Sequence, residues 1–208
     1  MNKELVVARF GEDLHWLQSL RGWKITVYNK GEPVAPDFLP GGCAQIALEN
    51  WGREAGTYLH HIVERYDRLA PLTAFVQGWP FDHNPEAVTE LNLGLFGRPF
   101  SFFSIHAHGG GLREYGSVIE CQRDGSPQHG GLAIPQMADR HGIARAGDGW
   151  SFSPGAQFVV SREAIRSHPR EFYSSLLEEG RDPSFGYILE RLWLSIFESG
   201  PVDAGASE

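Results

Sequence analysis

The hydrophobic pattern of the chain alternates between short apolar runs and amphipathic stretches. Unbroken apolar runs are typical of strands buried on both faces of a sheet that helices cover. Such runs predict four strands, over Leu5 to Ala8, Ile25 to Tyr28, Leu72 to Gln77 and Gln157 to Val160.

The amphipathic stretches between these runs predict helices. Apolar residues recur at helical spacing over Arg53 to Tyr66, with Asn50 as the expected N-cap. Leucines three residues apart predict a shorter helix over Glu12 to Leu20. The C-terminal third predicts a helical turn from Ser161 to Ile165, a helix with Pro169 at N1 and Gly180 at C′, and a last helix whose apolar stripe runs from Phe185 to Phe197.

This order of elements predicts a single α/β domain over residues 1–201, a mostly parallel sheet with helices on both faces. Residues 84–150 carry few periodic signals, and we interpret them as a loop-rich insertion above one edge of the sheet. The tail, residues 202–208, is expected to be disordered.

Charge and cysteine content narrow the class of protein. The formal net charge is −8 and the isoelectric point is about 5.6, which gives no electrostatic footprint for nucleic acid. No segment approaches the roughly 18 apolar residues of a membrane span, and no signal-peptide pattern is present. Cys43 and Cys121 lack metal-type spacing. Two free thiols in a cytoplasmic protein are expected.

Candidate site residues follow the predicted strands. Ligands of open α/β sheets bind beyond the carboxyl ends of the strands. The run Leu72 to Gln77 would bring Asp82 and His83 there, although Asp82 is equally expected as a turn residue and His83 as a surface residue. Three residues close the first strand at the same edge: Arg9, Glu12 and Asp13.

Two further positions stand out on the predicted helices. Arg53 opens a helix whose N-terminus would attract a phosphate, or it is an ordinary solvated arginine beside a cap. Glu190 lies opposite the apolar stripe of the last helix, between Tyr187 and Leu194. A carboxylate in that setting is either functional or paired, for example with Arg191.

His106 and His108 form a possible metal pair. They are two residues apart, so on a strand they would face the same way and could hold a metal with a third ligand such as Asp82, His83 or His129. The glycines that follow them are equally consistent with a simple loop. The nucleotide motifs G-x-G-x-x-G and G-x-x-x-x-G-K-[ST] and the hydrolase motif G-x-S-x-G are all absent.

Several segments resemble an uncharacterised domain family of bacteria and fungi. They are ARFGEDLHWL at 8–17, YNKG at 28–31, GREAGTYL at 52–59, FVQGWPFDH at 75–83 and FVVSRE at 158–163. The resemblance covers most of the chain. The family is in turn similar to a distant branch of the GT-A glycosyltransferases, in which the first two strands hold the nucleotide. YILERLW at 187–193 is similar to the segment that often carries their catalytic carboxylate.

That resemblance implies transfer of a sugar from a nucleotide sugar to a small-molecule or glycan acceptor. It implies a substrate site of Arg9, Glu12, Asp13, Asn29, Arg53, Gln77 and Trp79, with Arg53 at the diphosphate. It also implies a divalent ion, Mn²⁺ or Mg²⁺, on Asp82 and His83, with Glu190 as the base that activates the acceptor hydroxyl.

The D-x-D motif that holds the metal in GT-A enzymes occurs nowhere in this chain. Asp82 and His83 would replace it, or the chemistry needs no metal, or the fold serves another reaction. One alternative is a hydrolase, lyase or cyclase that acts on a small metabolite through Asp82, His83, His106 and His108. Another is a binding module with a degenerate transferase pocket.

Overall fold

The computed structural model describes residues 3–94, 96, 100–102, 131–145 and 150–198, and the backbone of 113–115. These residues form a six-stranded sheet in the order β3-β2-β1-β4-β8-β5 and a two-stranded sheet of β6 and β7. The strands are β1 (Lys3–Arg9), β2 (Trp23–Asn29), β3 (Ala44–Ala47), β4 (Leu72–Gln77), β5 (Phe100–Phe102), β6 (Arg113–Tyr115), β7 (Trp150–Phe152) and β8 (Phe158–Ser161).

The large sheet is mixed but mostly parallel. Strands β1 to β4 run parallel to one another, whereas β8 pairs antiparallel with both β4 and β5. The predicted strand Leu72–Gln77 has the bounds that the sequence indicated. The prediction of an α/β fold with a mostly parallel sheet is therefore confirmed.

Helices cover both faces of this sheet. They are α1 (Arg53–Arg65), α2 (Ala87–Leu93), α3 (Ile134–His141), α4 (Arg162–Ile165), α5 (Arg170–Glu178) and α6 (Phe185–Glu198). On one face α1 and α6 pack an aromatic core in which Tyr58, Phe158 and Trp193 are fully buried. On the other face, the segment after β1 and α2 cover Val7 and Val76.

The residues that are buried on each face of the sheet occupy the apolar positions from which the helices and strands were predicted. The predicted stripe of α6 from Phe185 to Phe197 is buried along its length, and its far side is also covered, because Leu194 is 8% exposed. Buried apolar area of this kind is the main favourable term in folding. None of the helices among the described residues is long and apolar enough to cross a membrane.

Four local predictions differ from the structure. The segment predicted as an α-helix over Glu12 to Leu20 is a 3₁₀-helix at His15–Ser19. Strand β3 was not predicted, because it is an edge strand with mostly exposed residues. The N-cap of α1 is Gly52 rather than Asn50, and Pro169 is the N-cap of α5 rather than its first residue.

Candidate functional site

A cleft of about 490 Å³ opens beyond the carboxyl ends of β1, β2 and β4. The strand order reverses between β1 and β4, since β1 leads to β2 and β3 on one side and to β4 on the other. Doubly wound sheets bind ligands at such a point. The cleft is lined by Ala8, Arg9, Phe10, Glu12, Lys30, Asn50, Arg53, Glu54, Gln77, Trp79, Asp82 and His83.

Most of the predicted site residues meet at this cleft. Seven of them line it: Arg9, Glu12, Arg53, Gln77, Trp79, Asp82 and His83. Three others, Asn29, Asp13 and Glu190, are not among the lining residues. The predicted metal pair, His106 and His108, lies outside the described residues.

Arg9 and Asn29 join the loops that follow β1 and β2. Arg9 donates through Nη1 to Asn29 Oδ1 at 2.6 Å and to the carbonyl of Glu32 at 2.8 Å. The Asn29 amide, which is nearly buried, donates in turn to the carbonyls of Gly31 and Glu32. Asn29 therefore does not line the cleft itself but holds Arg9, which does.

Glu12 fixes the loop after β1 against the loop after β4. Its Oε2 accepts the backbone N–H of Phe10 at 2.7 Å and that of Gly11 at 3.1 Å. The same oxygen lies so close to Gly78 that a Cβ there would come within 2.6 Å of it. Glu12 thus acts on the shape of the cleft even where it touches no ligand.

Asp13 is not among the residues that line the cleft, and its predicted place at a nucleotide stays a prediction. Its Oδ1 accepts the backbone N–H of His15 at 2.9 Å and lies 2.6 Å from the ring Nδ1. The backbone hydrogen bond from His15 is the largest cause that lowers the pKa of Asp13. Both side chains are about 60% exposed, at 62% and 60%, so this is a surface pair.

Lys30 is the cation that the sequence analysis missed. Its Nζ donates to the carbonyl of Trp51 at 2.6 Å and to that of Arg53, the two residues on either side of Gly52. Burial lowers the pKa of Lys30 to about 8, and the nearby carboxylate of Glu54 opposes that shift. Lys30 directly follows the end of β2, and ligands of such sheets bind at this edge. Its place in the sequence could therefore have marked it as a candidate.

Helix α1 begins in an unusual backbone conformation. Gly52 has φ +66° and Arg53, which is not a glycine, has φ +49°. The Arg53 guanidinium lies 4.6 Å from the centre of the Tyr187 ring, and its Nη1 donates to the Tyr187 hydroxyl at 3.1 Å. A left-handed backbone conformation is rare for arginine and costs free energy. The contacts with Tyr187 on α6 hold the Arg53 side chain in place.

Glu54 is the second residue that the sequence analysis missed. Its side chain is 12% exposed, in the first turn of α1, and it lines the cleft beside Lys30. Burial raises the pKa of the Glu54 carboxyl, and the negative charge of Glu190 raises it further. A partly desolvated carboxyl at a cleft is typical of a proton donor or acceptor.

Asp82 and His83 lie on a short turn after β4, at the cleft, as predicted. Asp82 is exposed and ends the 3₁₀ turn Pro80–Asp82. Gln157 fixes this turn by donating to the carbonyl of Pro80 at 2.8 Å. Among the described residues no group of three or more His, Cys, Asp or Glu side chains could hold a metal ion. Asp82 and His83 alone therefore do not make a complete ligand set in this part of the chain.

Glu190 is mostly buried, and the protein itself binds its carboxylate. One oxygen accepts the backbone N–H of Gly155 at 2.6 Å, and the other pairs with Arg191. Arg191 is 2% exposed and its guanidinium lies 4.3 Å from the centre of the Phe152 ring. The ion pair is the structural alternative raised above, and the catalytic role of Glu190 stays a prediction.

Two exposed aromatic side chains flank the cleft. Phe10 is 57% exposed and Trp79 is 41% exposed, and both belong to the lining. Trp79 is supported from below by Phe81, with ring centres 4.7 Å apart. Large exposed aromatic rings at the mouth of a cleft are typical of surfaces that bind rings of a ligand.

A smaller pocket of about 240 Å³ adjoins the cleft and shares Lys30 with it. Its other lining residues are Leu48, Glu49, Trp51, Gly56, His60 and Arg181. An ion pair at 3.0 Å joins Glu49 to Arg181 at its rim, where both side chains are about three-quarters exposed, at 73% and 74%. Lys30 therefore stands at the junction of two cavities.

Comparison with known families agrees with the segments noted in the sequence. The chain belongs to the family described as Protein of unknown function (DUF3431), whose model matches residues 5–93 and 150–208. No curated protein matches the chain. The matched segments contain each of the described residues that line the cleft.

Proposed function

We propose that the cleft binds a nucleotide sugar and that the protein transfers the sugar to a small-molecule or glycan acceptor. The observation that supports this most strongly is the composition of the cleft. One cavity at the switch point of the sheet holds cations, a partly desolvated carboxyl and two exposed aromatic faces. A GT-A-like architecture is part of the same proposal. The order β3-β2-β1-β4 supports it, because nucleotide-binding sheets commonly begin in this way.

Lys30 and Arg53 are the proposed partners of the diphosphate. They converge on the start of α1, where the backbone N–H groups of a helix also favour a negative charge. Lys30 is held there by two carbonyls, so its remaining donor position is free to meet an anion. This geometry supports an anionic ligand more directly than any other feature of the described residues.

Phe10 and Trp79 are the proposed contacts of the base or of the sugar ring. Both are apolar surfaces left open to solvent at the rim of the cleft. Every base can stack on an aromatic ring, so these residues would not restrict which nucleotide binds. This is consistent with the absence of a strict nucleotide-binding motif in the chain. A ligand that covered these two rings would remove their apolar surface from water, which is favourable.

Glu54 is the proposed base that accepts the proton of the acceptor hydroxyl. A carboxyl whose pKa is raised lies closer to the operating pH, which makes proton transfer more efficient. Glu190 is the candidate base that the sequence suggested, and its negative charge raises the pKa of Glu54. Asp82 and His83 line the same cleft and would contact the substrate or, with a further ligand, a divalent ion.

A nucleotide-independent acid–base enzyme is the second candidate. The observation that favours it is that Glu54 and Lys30 line the same cleft with shifted pKa values, since a raised carboxyl pKa and a lowered amine pKa suit proton transfer without a nucleotide. Under this hypothesis the cleft would bind a small anionic metabolite, and uridine nucleotides would have no advantage over inorganic phosphate. A binding module without catalysis would bind the nucleotide and turn nothing over.

Thermal unfolding with defined ligands separates these candidates. We expect UDP and UDP-glucose, but not uridine, to raise the melting temperature. A ligand at 100 times its Kd adds about 2.7 kcal/mol, which is roughly 5–11 °C for a chain of this size. Repeating the measurement with Mn²⁺ tests the divalent ion. No shift with either nucleotide, with or without Mn²⁺, would contradict the proposal. A shift of equal size with inorganic phosphate would favour the second candidate.

A further inference from the structure

Lys30 has a geometry that suits a nucleophile as well as a cation. Its Nζ donates to two backbone carbonyls, those of Trp51 and Arg53. A neutral amine has two N–H donors and one lone pair, so both donors are used and the lone pair takes the remaining tetrahedral position. Lys30 lines both cavities, so a molecule in the cleft can approach its side chain.

We propose that Lys30 is a reactive amine that forms an imine with an aldehyde or ketone carrying an anionic group such as a phosphate. The proposal does not require a nucleotide, so it is independent of the donor proposed above. It assigns to the cleft a covalent site for a carbonyl compound. The anionic group would lie at the start of α1, where Arg53 borders the same cleft.

The charges around Lys30 are compatible with this chemistry. Burial lowers its pKa to about 8, so a sizeable fraction of the amine is neutral near neutral pH. The groups around it are Glu54 and the main-chain carbonyl of Arg53 at the start of α1, and His60 nearly two turns further along the helix. The charge of Glu54 opposes the loss of the proton.

The reaction needs no oxidant or further reactant. The neutral amine attacks the carbonyl carbon, a C–N bond forms as the C=O π bond breaks, and the proton that the nitrogen loses is taken up by the oxygen to give a carbinolamine. The Glu54 carboxyl, in its protonated form, then donates a proton to the hydroxyl, water leaves and the C=N bond forms. The resulting iminium keeps one N–H, which can still donate to one of the two carbonyls.

Lysine labelling tests the proposal without knowledge of the natural substrate. The chain contains only three lysines, so Lys3 and Lys24 serve as internal controls. The Lys24 side chain is 57% exposed. The protein is treated at pH 7.5 with pyridoxal 5′-phosphate, reduced with borohydride and mapped by mass spectrometry. Pyridoxal without the phosphate is the matched reagent.

We expect Lys30 to be labelled about tenfold faster than either control. An amine of pKa 8 has a neutral fraction about two hundred times that of an ordinary lysine at this pH, and its lower basicity offsets part of that gain. Inorganic phosphate should slow the labelling. Labelling of Lys30 no faster than Lys3 and Lys24 would overturn the proposal, and equal rates with pyridoxal and its phosphate would overturn the anionic requirement.

Lys30→Arg identifies the labelled amine. Arginine keeps the positive charge but forms no imine under these conditions. We expect the variant to lose the adduct, and the thermal shift with UDP is measured in the wild type alone, because Lys30 is also a proposed partner of the diphosphate. Failure of the UDP shift in the wild type with rapid labelling of Lys30 would contradict the nucleotide and leave the imine standing. The wild-type labelling does not depend on whether the variant folds.

Discussion

The backbone N–H of Gly155 donates a hydrogen bond of 2.6 Å to the carboxylate of Glu190. Gly155 has φ +91°, and a Cβ there would lie 2.5 Å from Cγ of His83. The loop between β7 and β8 therefore joins α6 to the turn that carries His83 at the cleft. Glu190 is therefore linked to this turn by a single hydrogen bond to the loop, and its catalytic role stays a prediction.

Glu190→Gln should lower stability because buried Arg191 loses its charged partner. Removing one member of a buried ion pair costs roughly 3 kcal/mol, which is about 6–12 °C in melting temperature here. Glu163→Gln is the control, because Glu163 is 73% exposed and its pair with Arg162 spans 3.7 Å. That variant should change stability by less than about 1 kcal/mol. An unchanged melting temperature in Glu190→Gln would instead support a catalytic carboxylate that the fold does not need.

Gly155→Ala should both destabilise the protein and displace His83. The added Cβ meets the imidazole ring and also forces alanine into a left-handed backbone region. Gly42→Ala is the matched control, since Gly42 has φ +81° and a Cβ added there would meet no atom within 4 Å. We expect about 1 kcal/mol of destabilisation at Gly42 and roughly 2 kcal/mol more at Gly155, measured by urea unfolding. Equal losses would mean that backbone strain alone explains the effect.

Trp79→Ala should weaken binding of UDP without unfolding the protein. Loss of one stacking face costs about 1–3 kcal/mol, or roughly fivefold to 150-fold in Kd by calorimetry. Phe38→Ala removes another exposed aromatic side chain, 47% exposed, which is not among the residues that line the cleft. Binding should be unchanged in that control. If both variants lost affinity equally, Trp79 would not be a specific contact of the ligand.

The parts of the fold that could be predicted are those that local sequence determines. The strand Leu72–Gln77 is an apolar run that is buried on both faces, so pattern and structure coincide. The short helix after β1 has leucines at 14, 17 and 20, and a period of three is that of the 3₁₀-helix found there rather than of an α-helix. Strand β3 exists only through its pairing with β2, which no local pattern reveals.

The residues of the candidate site also divide into those that the local sequence reveals and those that only the folded structure reveals. Arg9, Asp82 and His83 follow predicted strands directly, so the position of the crevice was enough to find them. Lys30 and Glu54 were missed because their altered pKa values arise from burial, which only the folded start of α1 creates. The partners of Glu190 come from its neighbour along α6 and from a distant loop. Only the first of these could be proposed from sequence.

His61 should make the protein sensitive to acid. Its ring is fully buried, with Nδ1 hydrogen-bonded to the Tyr28 hydroxyl at 3.0 Å and Nε2 4.0 Å from the Glu4 carboxylate. Burial is the largest cause that lowers the pKa of His61 to about 3, and the positive charges of Arg65 and Lys24 add to it. The unfolded chain takes up this proton near pH 6.5, whereas the folded protein does not. Stability is therefore lost as the pH falls from about 6.5 toward 3.

The His61→Gln variant isolates this contribution, because glutamine can accept the Tyr28 hydrogen bond and does not titrate. Urea unfolding at pH 7 and pH 4.5 should show that the wild type loses about 2–3 kcal/mol more than the variant over this interval. The comparison uses the change with pH, so a lower stability of the variant at pH 7 does not affect it. His15→Gln is the control, since the His15 side chain is 60% exposed, and it should lose stability as the wild type does. If the wild type and His61→Gln lost stability in parallel, the buried histidine would not be the acid-sensitive group.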